Sequence, residues 1–186
     1  MISLGLDMNS KNYSNQFQLH SIASCHPNQI SSYYKKNRDF HLSTSPKRSE
    51  NFFTDHYWKK AIPIHLEEQE KESAIRFFIL NNEQVIIGNI NFSNIQGFPI
   101  HSCNLGYSLD EEYTGKGIMT YFLNQAIDFV FHKTSVHKVF ANHTPWNISS
   151  ARVLHKLGFA KIGECKDYLL INNNWEDHIL NVLFKK

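Results

Sequence analysis

The stretch NLGYSLDEEYTGKGIMT, residues 104–120, decides how the rest of the chain is interpreted. Its first part, residues 104–109, is an apolar run that predicts a β-strand. After the two glycines, apolar residues recur at the spacing of an amphipathic helix, at Ile118, Phe122, Ala126, Phe129 and Val130. The sequence therefore predicts a strand, a glycine turn and a helix in that order.

A glycine turn that leads into a helix can bind an anion such as phosphate. The first N–H groups of a helix have no partner within the helix, and the helix dipole favours negative charge there. Gly115 and Gly117 allow positive φ and a close approach of the backbone. The loop lacks the third glycine of a dinucleotide-binding fingerprint and the Gly-Lys-Ser/Thr ending of a P-loop. Taken alone, it leaves a phosphate site and an ordinary tight turn both open.

A second stretch, NISSARVLHKLGF at residues 147–159, gives the first one a context. Together they resemble motifs A and B of the GCN5-related N-acetyltransferases (GNAT), a family that binds acetyl-CoA. The first matches Q/R-x-x-G-x-G/A from Glu112, which replaces the usual residue, and the second matches N-x-x-S followed by K-L-G-F. Residues 166–180 resemble the C-terminal hairpin of the RimJ-type ribosomal-protein-alanine N-acetyltransferases. The resemblance covers residues 74–184 well and the first seventy poorly.

This resemblance implies an α/β (α+β) GNAT fold with a mixed, mostly antiparallel, seven-stranded sheet. The sheet is expected to have a V-shaped split and to be flanked by helices. Residues 1–186 are expected to form a single N-acetyltransferase domain, with a loose terminus at residues 1–12.

Local patterns place the secondary structure along the chain. Strands are predicted near residues 17–22, 74–80, 85–92, 101–109, 138–142, 160–171 and 174–184. Helices are predicted from Pro27 to about Lys36, from Ile118, and from Asn147 to Gly158. A helical region at about residues 49–72 is predicted to be interrupted or kinked before Pro63.

Composition predicts an ordinary globular protein of the cytoplasm. The net charge of +2 gives no bulk attraction to nucleic acid or to a membrane. The N-terminus lacks the features of a secretory signal, and no apolar run is long enough to span a bilayer. Cys25, Cys103 and Cys165 are widely spaced, which is typical of reduced thiols. The histidines form no metal-binding pattern, so no metal is expected.

The resemblance assigns the parts of acetyl-CoA to three regions. Its thioester carbonyl is expected to bind backbone N–H groups around Ser108 and Leu109. Its pantetheine arm is expected to enter where the strands that end near Leu109 and Asn142 separate. Asn147 is expected to contact that arm, although it also fits an ordinary helix N-cap with Ser150 at the N3 position. The pyrophosphate is expected to bind backbone N–H groups of Thr114, Gly115, Lys116, Gly117, Ile118, Met119 and Thr120.

In this family the amine attacks the thioester directly within a ternary complex. No acyl-cysteine is needed, and Cys103 is interpreted as a small core residue. Many relatives carry a tyrosine general acid at the position that is Leu154 here. In the RimJ/RimL subgroup the serine of N-x-x-S is the proposed donor to the leaving CoA thiolate, and Ser150 occupies that place. Because serine is a poor acid, we expect Ser150 to act as a hydrogen-bond donor toward sulfur.

The general base is not identified by the resemblance. An α-amine with a pKa near 8 is already partly neutral at cytosolic pH, so an ordinary carboxylate acting through water can suffice. Asp167, Asp177 and His178 on the C-terminal hairpin are the candidates, although His178 also fits a hydrogen-bonded packing residue. The carboxylate of Glu112 would repel a pyrophosphate, so we expect it to face solvent.

The implied reaction is transfer of acetyl from acetyl-CoA to a protein N-terminal α-amine, of a ribosomal protein that begins with Ala or Ser. Two alternatives are left open: acetylation of a small amine such as a polyamine, amino sugar or amino acid, and a non-catalytic acyl-CoA-binding module. A small-amine site should be enclosed and charged, whereas a peptide needs an open groove. The sequence leaves open the acceptor and whether the protein is a monomer or a homodimer.

Overall fold

The computed structural model describes residues 13–186, and the predicted loose terminus at residues 1–12 lies outside this range. One seven-stranded sheet has the strand order β1-β2-β3-β4-β5-β7-β6. The strands are β1 Phe17–Ser21, β2 Ile75–Asn81, β3 Ile86–Gln96, β4 Ser102–Leu109, β5 Lys138–His143, β6 Ala160–Ile171 and β7 Asn174–Phe184. Neighbouring strands are antiparallel except β4 and β5. The predicted fold class is confirmed.

Within residues 13–186, five α-helices flank the sheet, and most begin at a local start signal. They are α1 Pro27–Lys36, α2 Arg38–His41, α3 Asp55–Glu70, α4 Ile118–Lys133 and α5 Ile148–Lys156. Pro27 begins α1 because its missing N–H costs nothing in a first turn. Before α3, the Thr54 hydroxyl accepts from the Tyr57 N–H at 3.2 Å. As predicted, α5 follows Asn147 and ends before Gly158, which has φ +81.

The helices cover both faces of the sheet and create two apolar cores. On one face, α4 and α5 pack against Ile79 and Ile90. On the other, α1 and α3 pack against Phe78 and Leu80. Because successive side chains of a strand point to opposite faces, the neighbours Phe78 and Ile79 belong to different cores. We call the two sides the α4 face and the α1 face.

Pro63 lies inside the continuous helix α3, so the predicted interruption there is wrong, while the alternative of a kink stays a prediction. The interruption lies instead at Thr54, between a short 3₁₀ turn at Glu50–Phe53 and the start of α3. Proline in a helix interior costs roughly 3 kcal/mol. Trp58 and Ala61 are buried in the core on the α1 face, and this packing offsets the local cost. Within residues 13–186, no helix combines the length and apolar character required to cross a bilayer.

Candidate active site

The sheet opens between β4 and β5. These parallel strands pair only over residues 102–104 and 138–140. Beyond that point β4 continues to Leu109 and β5 to His143 without pairing with each other. An unpaired strand edge presents N–H and C=O groups, so the gap can accept an extended ligand. The predicted V-shaped split is confirmed, with Leu109 on one side and Asn142 on the other.

The backbone of Leu109 faces this split. Just after β4, the Asp110 N–H donates to the Ile87 carbonyl at 2.7 Å. In an antiparallel ladder, hydrogen-bonded and non-hydrogen-bonded pairs alternate. The opposed residues Leu109 and Gly88 are therefore a non-hydrogen-bonded pair, and the Leu109 N–H points away from β3. The N–H of Ser108 points toward β3, so Leu109 is the available donor of the two predicted ones.

The side chain of Ser108 lies on the α1 face, where it takes part in a hydrogen-bonded cluster. Its Oγ lies 2.7 Å from the Tyr33 hydroxyl and accepts from Asn89 Nδ2 at 2.5 Å. Burial raises the pKa of Tyr33 far above its ordinary value, so this hydroxyl stays protonated. The cluster joins α1 to β3 and β4 and fixes the end of β4 beside the split.

The glycine turn presents its backbone at the start of α4. Gly115 and Gly117 have φ values of +72 and +85, and Gly117 is the N-cap. The Tyr121 N–H makes the first helical bond, to the Gly117 carbonyl at 3.1 Å. The N–H groups of Ile118, Met119 and Thr120 precede that bond and have no helical acceptor. The start of α4 therefore presents the predicted N–H groups, whereas the Thr114 N–H already donates to the Glu111 carbonyl at 3.2 Å and is not an available donor. Anion binding at the turn stays a prediction.

The side chains of the turn are directed away from its N–H groups. Lys116 Nζ donates to the Glu112 carbonyl at 2.7 Å and lies over the Tyr113 ring. Thr114 Oγ1 donates to the Glu111 carbonyl at 2.8 Å. The side chains of Ile118 and Met119 are buried in the core. Any anion bound here would therefore meet mainly backbone.

Lys36, at the end of α1, forms an ion-pair network that supports the glycine turn before α4. Lys36 Nζ lies 2.8 Å from the carboxylate of Asp110 and 2.9 Å from that of Glu112. Asp110 is only 2% exposed and also accepts from the Glu112 N–H at 3.1 Å. The hydrogen bond to Asp110 is the largest cause of a raised pKa at Lys36. The Glu112 side chain is 69% exposed, which confirms that it faces solvent.

Ser150 lies on the α4 face, at the start of α5. Its N–H donates to Asn147 Oδ1 at 3.0 Å, as the N-cap interpretation predicts. Its hydroxyl oxygen lies 2.7 Å from the Tyr107 hydroxyl on β4. Burial raises the pKa of Tyr107 to about 12, although the bond to Ser150 acts in the opposite direction. Tyr107 is therefore protonated at neutral pH and can share a proton with Ser150.

Tyr107 is a site residue that the sequence does not predict. One available signal is strand alternation, which places Tyr107 on the same face as Leu105 and Leu109. The sequence cannot show that α5 brings Ser150 to that face. Leu154, at the position of the usual tyrosine, is buried in the core. Cys103 is also a core residue, and burial raises the pKa of its thiol to about 12, which fits the interpretation that it is not a nucleophile.

Asn142 lies at the other edge of the split, and its amide is used within the sheet. Its Nδ2 donates to the Tyr168 hydroxyl at 2.8 Å, and its Oδ1 accepts from the Asn181 N–H at 3.3 Å. The Tyr168 ring lies 5.0 Å from the His178 ring. His178 is 5% exposed, and its Nδ1 lies 3.0 Å from the Glu176 carbonyl. These contacts fit a packing histidine.

Asp167 is exposed on β6 and has φ +48 at an irregularity in the β6–β7 pairing. Its N–H donates to Asp177 Oδ1 at 3.1 Å, and Asp177 is also paired with Lys166. The contacts of Asp167 and His178 lie in the hairpin, whereas those of Ser150 are with Tyr107 and Asn147. The structure does not bring the three predicted catalytic residues into contact, and their catalytic roles stay predictions.

A cavity of about 110 Å³ on the α1 face lies beside Ser108. Its other walls are the end of α1, α2, the loop after α2 and the 3₁₀ turn before α3. His41 lines it, and burial lowers the pKa of this imidazole, while Asp110 and the Leu109 backbone act in the opposite direction. The Asn172 side chain, in the β6–β7 turn, donates to the Leu42 carbonyl beside this cavity. Among residues 13–186, no group of three or more His, Cys, Asp or Glu side chains could hold a metal ion.

Comparison with known proteins identifies a family and similar proteins. Residues 19–160 match the family model described as Acetyltransferase (GNAT) domain. The chain is 36% identical over 156 residues to [Ribosomal protein uS5]-alanine N-acetyltransferase of Escherichia coli, covering 83% of this chain and 80% of that protein. It also matches the crystal structure of ribosomal-protein-S5-alanine acetyltransferase from Vibrio fischeri, with 41% identity and a TM-score of 0.85, covering 90% of this chain and 91% of that one.

A more distant structure is similar in fold alone. Mycobacterium smegmatis RimJ in complex with CoA-disulfide has 21% identity and a TM-score of 0.82, covering 90% of this chain and 81% of that one. The family model spans most of the chain, and the first two relatives align with most of its length. The chain therefore belongs to the GNAT family of acetyltransferases.

Proposed function

We propose that the chain transfers the acetyl group of acetyl-CoA to the N-terminal α-amine of a ribosomal protein, with Ala or Ser as first residue. The E. coli and V. fischeri relatives are named for acetylating the alanine of ribosomal protein S5. The observation in the structure that carries the proposal is the Leu109 N–H, which faces an open split beside the glycine turn. A ribosomal acceptor would place the reaction in the cytoplasm.

The proposal assigns each part of acetyl-CoA to a group in the described site. The pyrophosphate would accept from the N–H groups of the glycine turn, including those of Gly117 and Ile118. The pantetheine arm would lie in the split as an additional strand, with Asn147 and Asn142 on the β5 side. The thioester carbonyl would accept from the Leu109 N–H, where negative charge develops during attack. Related structures in complex with CoA, such as that of M. smegmatis RimJ, support this co-substrate.

The reaction forms a C–N bond and breaks the C–S bond of the thioester. The amine loses a proton, and the leaving thiolate gains one. Ser150 would donate to the sulfur, and the neutral Tyr107 hydroxyl at 2.7 Å would support it by donating to the Ser150 oxygen. On the amine side, Asp167 and His178 remain candidates for accepting the proton through water.

The cavity on the α1 face argues against a polyamine as acceptor. Its lining includes Arg38, Lys47 and Arg48, and none of the described lining residues is acidic. A polycation would be repelled there, whereas a peptide has a single amine at its reacting end. The charge of this wall therefore favours the peptide acceptor over the polyamine.

Purified protein should release CoA when it is mixed with acetyl-CoA and peptides that begin with Ala or Ser. Mass spectrometry should place one acetyl group on the α-amine. The matched control is the same peptide with a blocked N-terminus and a free lysine side chain. Acetylation of the lysine alone would contradict the proposed acceptor, and absence of CoA release with any amine would contradict catalysis.

A further inference from the structure

The cavity beside Ser108 has a wall of positive charge. Three cationic side chains, those of Arg38, Lys47 and Arg48, come from α2 and the loop that follows it. Burial lowers the pKa of His41, so this imidazole adds no charge at neutral pH. A local cluster of this kind stands out in a chain whose net charge is only +2.

The three cations differ in how they are held. Arg38 forms a two-pronged ion pair with Glu50, which leaves little of its charge unmatched. The Arg48 guanidinium lies over the Phe52 ring, 4.9 Å from its centroid. Stacking on a ring face leaves the N–H groups at the guanidinium edge available for a carboxylate. Within residues 13–186, no carboxylate lies within 4.0 Å of Lys47 or Arg48.

The cavity also has a defined position relative to the reaction. Ser108 lines it, and the next residue, Leu109, faces the split. A polypeptide whose α-amine lies at the Leu109 backbone would run outward along this wall. An extended chain advances about 3.3 Å per residue, so its first five residues cover roughly 16 Å.

From this geometry we infer that the cavity selects acceptor polypeptides with an acidic side chain within about the first five residues. Arg48 binds the carboxylate through its guanidinium edge, and Lys47 adds a second positive charge. Arg38 and Glu50 hold the wall in place. This inference rests on the proposed function and names the class of acceptor that the site prefers. A nucleic acid is the weaker fit, because three cations do not form a stripe that follows a phosphate backbone.

The first experiment compares acceptor peptides with the unaltered enzyme. Ten-residue peptides begin with Ala and carry one Glu, Gln or Lys at a single position from 2 to 6. At one of these positions the KM for the Glu peptide should be about tenfold lower than for the Gln peptide, as for a charge-assisted hydrogen bond. The Lys peptide should be poorer than both, because like charges repel. The preference should weaken as salt is added.

The second experiment changes the wall. Arg48→Gln and the double variant Lys47→Gln/Arg48→Gln should raise the KM for the Glu peptide about tenfold and leave that for the Gln peptide within twofold. Arg48→Glu should reverse the order, so that the Lys peptide becomes the better acceptor, which loss of structure would not produce. Lys133→Gln, at the end of α4, removes the same charge far from the cavity and should change neither KM. Melting temperature and acetyl-CoA affinity verify that each variant is folded.

The possible outcomes are distinct. Equal KM values for Glu and Gln peptides at all positions would overturn the inference and leave N-terminal acetylation intact. Arg48-dependent binding of an RNA oligonucleotide, with no preference among peptides, would also overturn the inference alone. Absence of transfer to every peptide would overturn both the inference and the proposed function. Reversed preference in Arg48→Glu would establish the carboxylate site.

Discussion

At the scale of single residues, the proposed proton donation to the leaving thiolate depends on the hydrogen-bonded pair of Tyr107 and Ser150. The two hydroxyls come from β4 and α5, and they meet only because the sheet and α5 pack together. The motif resemblance predicts Ser150 as a donor, whereas nothing in the sequence predicts its partner. A serine alone is a poor acid, and under the proposed mechanism the protonated Tyr107 hydroxyl would donate a hydrogen bond to the Ser150 oxygen while Ser150 donates to the sulfur.

Removing the Tyr107 hydroxyl tests this pair. We expect Tyr107→Phe to lower kcat about tenfold and to leave the KM for acetyl-CoA within twofold, because the ring and its packing remain. Ser150→Ala should lower kcat at least as much. If both hydroxyls act in one donor chain, the double variant should be no slower than Ser150→Ala alone. Steady-state measurement of thiol release gives all three values, and multiplied effects in the double variant would contradict a shared role.

At the scale of elements, the parts that the sequence predicts correctly are those governed by local rules. Asn147 caps α5, Gly158 ends it, and Pro27 begins α1, because each depends on a few neighbouring residues. The apolar runs of strands β2 and β3 and the glycine turn before α4 are local in the same sense. The predicted interruption at Pro63 is wrong because packing of α3 outweighs the local cost. The cavity wall after α2 is not predicted, since its residues meet only in the folded chain.

The turn before α4 gives a prediction about one of these elements. Gly117 has φ +85, and an added Cβ would lie 3.4 Å from the Tyr13 hydroxyl. We expect Gly117→Ala to cost roughly 1–2 kcal/mol of unfolding free energy and to weaken acetyl-CoA binding. Urea unfolding and calorimetric titration measure the two effects.

Gly163→Ala is the matched control for this change. Gly163 lies in β6, its φ is not in the left-handed region, and an added Cβ meets nothing within 4 Å. The Gly163→Ala variant should therefore keep the unfolding free energy and the acetyl-CoA affinity of the original protein. If Gly117→Ala behaved like this control, the left-handed turn would not be what shapes the binding site.

At the scale of the whole molecule, one sheet contains strands from Phe17 to Phe184, and the two halves of the sheet meet at the split. The seven strands and the split are predicted through the family resemblance, because pairing across the chain is not visible in local patterns. That residues 1–186 form a single domain stays a prediction. The two apolar cores also bury the thiols of Cys25 and Cys103, whose protonation affects the free energy of unfolding.

Two buried thiols make the stability of the molecule sensitive to alkaline pH. Burial raises the pKa of Cys25 to about 11 and that of Cys103 to about 12, from an ordinary value of 9.0. The folded protein keeps these protons above pH 9, whereas the unfolded chain releases them. The free energy of unfolding should therefore be at its full value below pH 9 and fall above it, by about 1.4 kcal/mol per pH unit for each thiol.

Urea unfolding at pH 8, 9.5 and 10.5 measures this loss. The double variant Cys25→Ala/Cys103→Ala should start from a lower stability, since it removes buried volume, but its stability should fall less steeply with pH. Equal slopes for the variant and the original protein would show that other groups cause the alkaline loss.

Binding of acetyl-CoA gives a second prediction for the whole molecule. A ligand that binds only the folded state stabilises it by about 2.7 kcal/mol at a concentration one hundred times its Kd. We expect the melting temperature to rise with acetyl-CoA and to rise less with acetyl-pantetheine, which lacks the pyrophosphate. No rise with acetyl-CoA would contradict the assignment of the glycine turn.

The contact between Asn172 and the Leu42 carbonyl has a consequence for access. The β6–β7 turn extends one half of the sheet, whereas Leu42 is the C-cap of α2 and lines the cavity beside Ser108 of the other half, so the contact joins the two halves. An acceptor that approaches the split along this cavity therefore has to pass beside a bridge between the two halves.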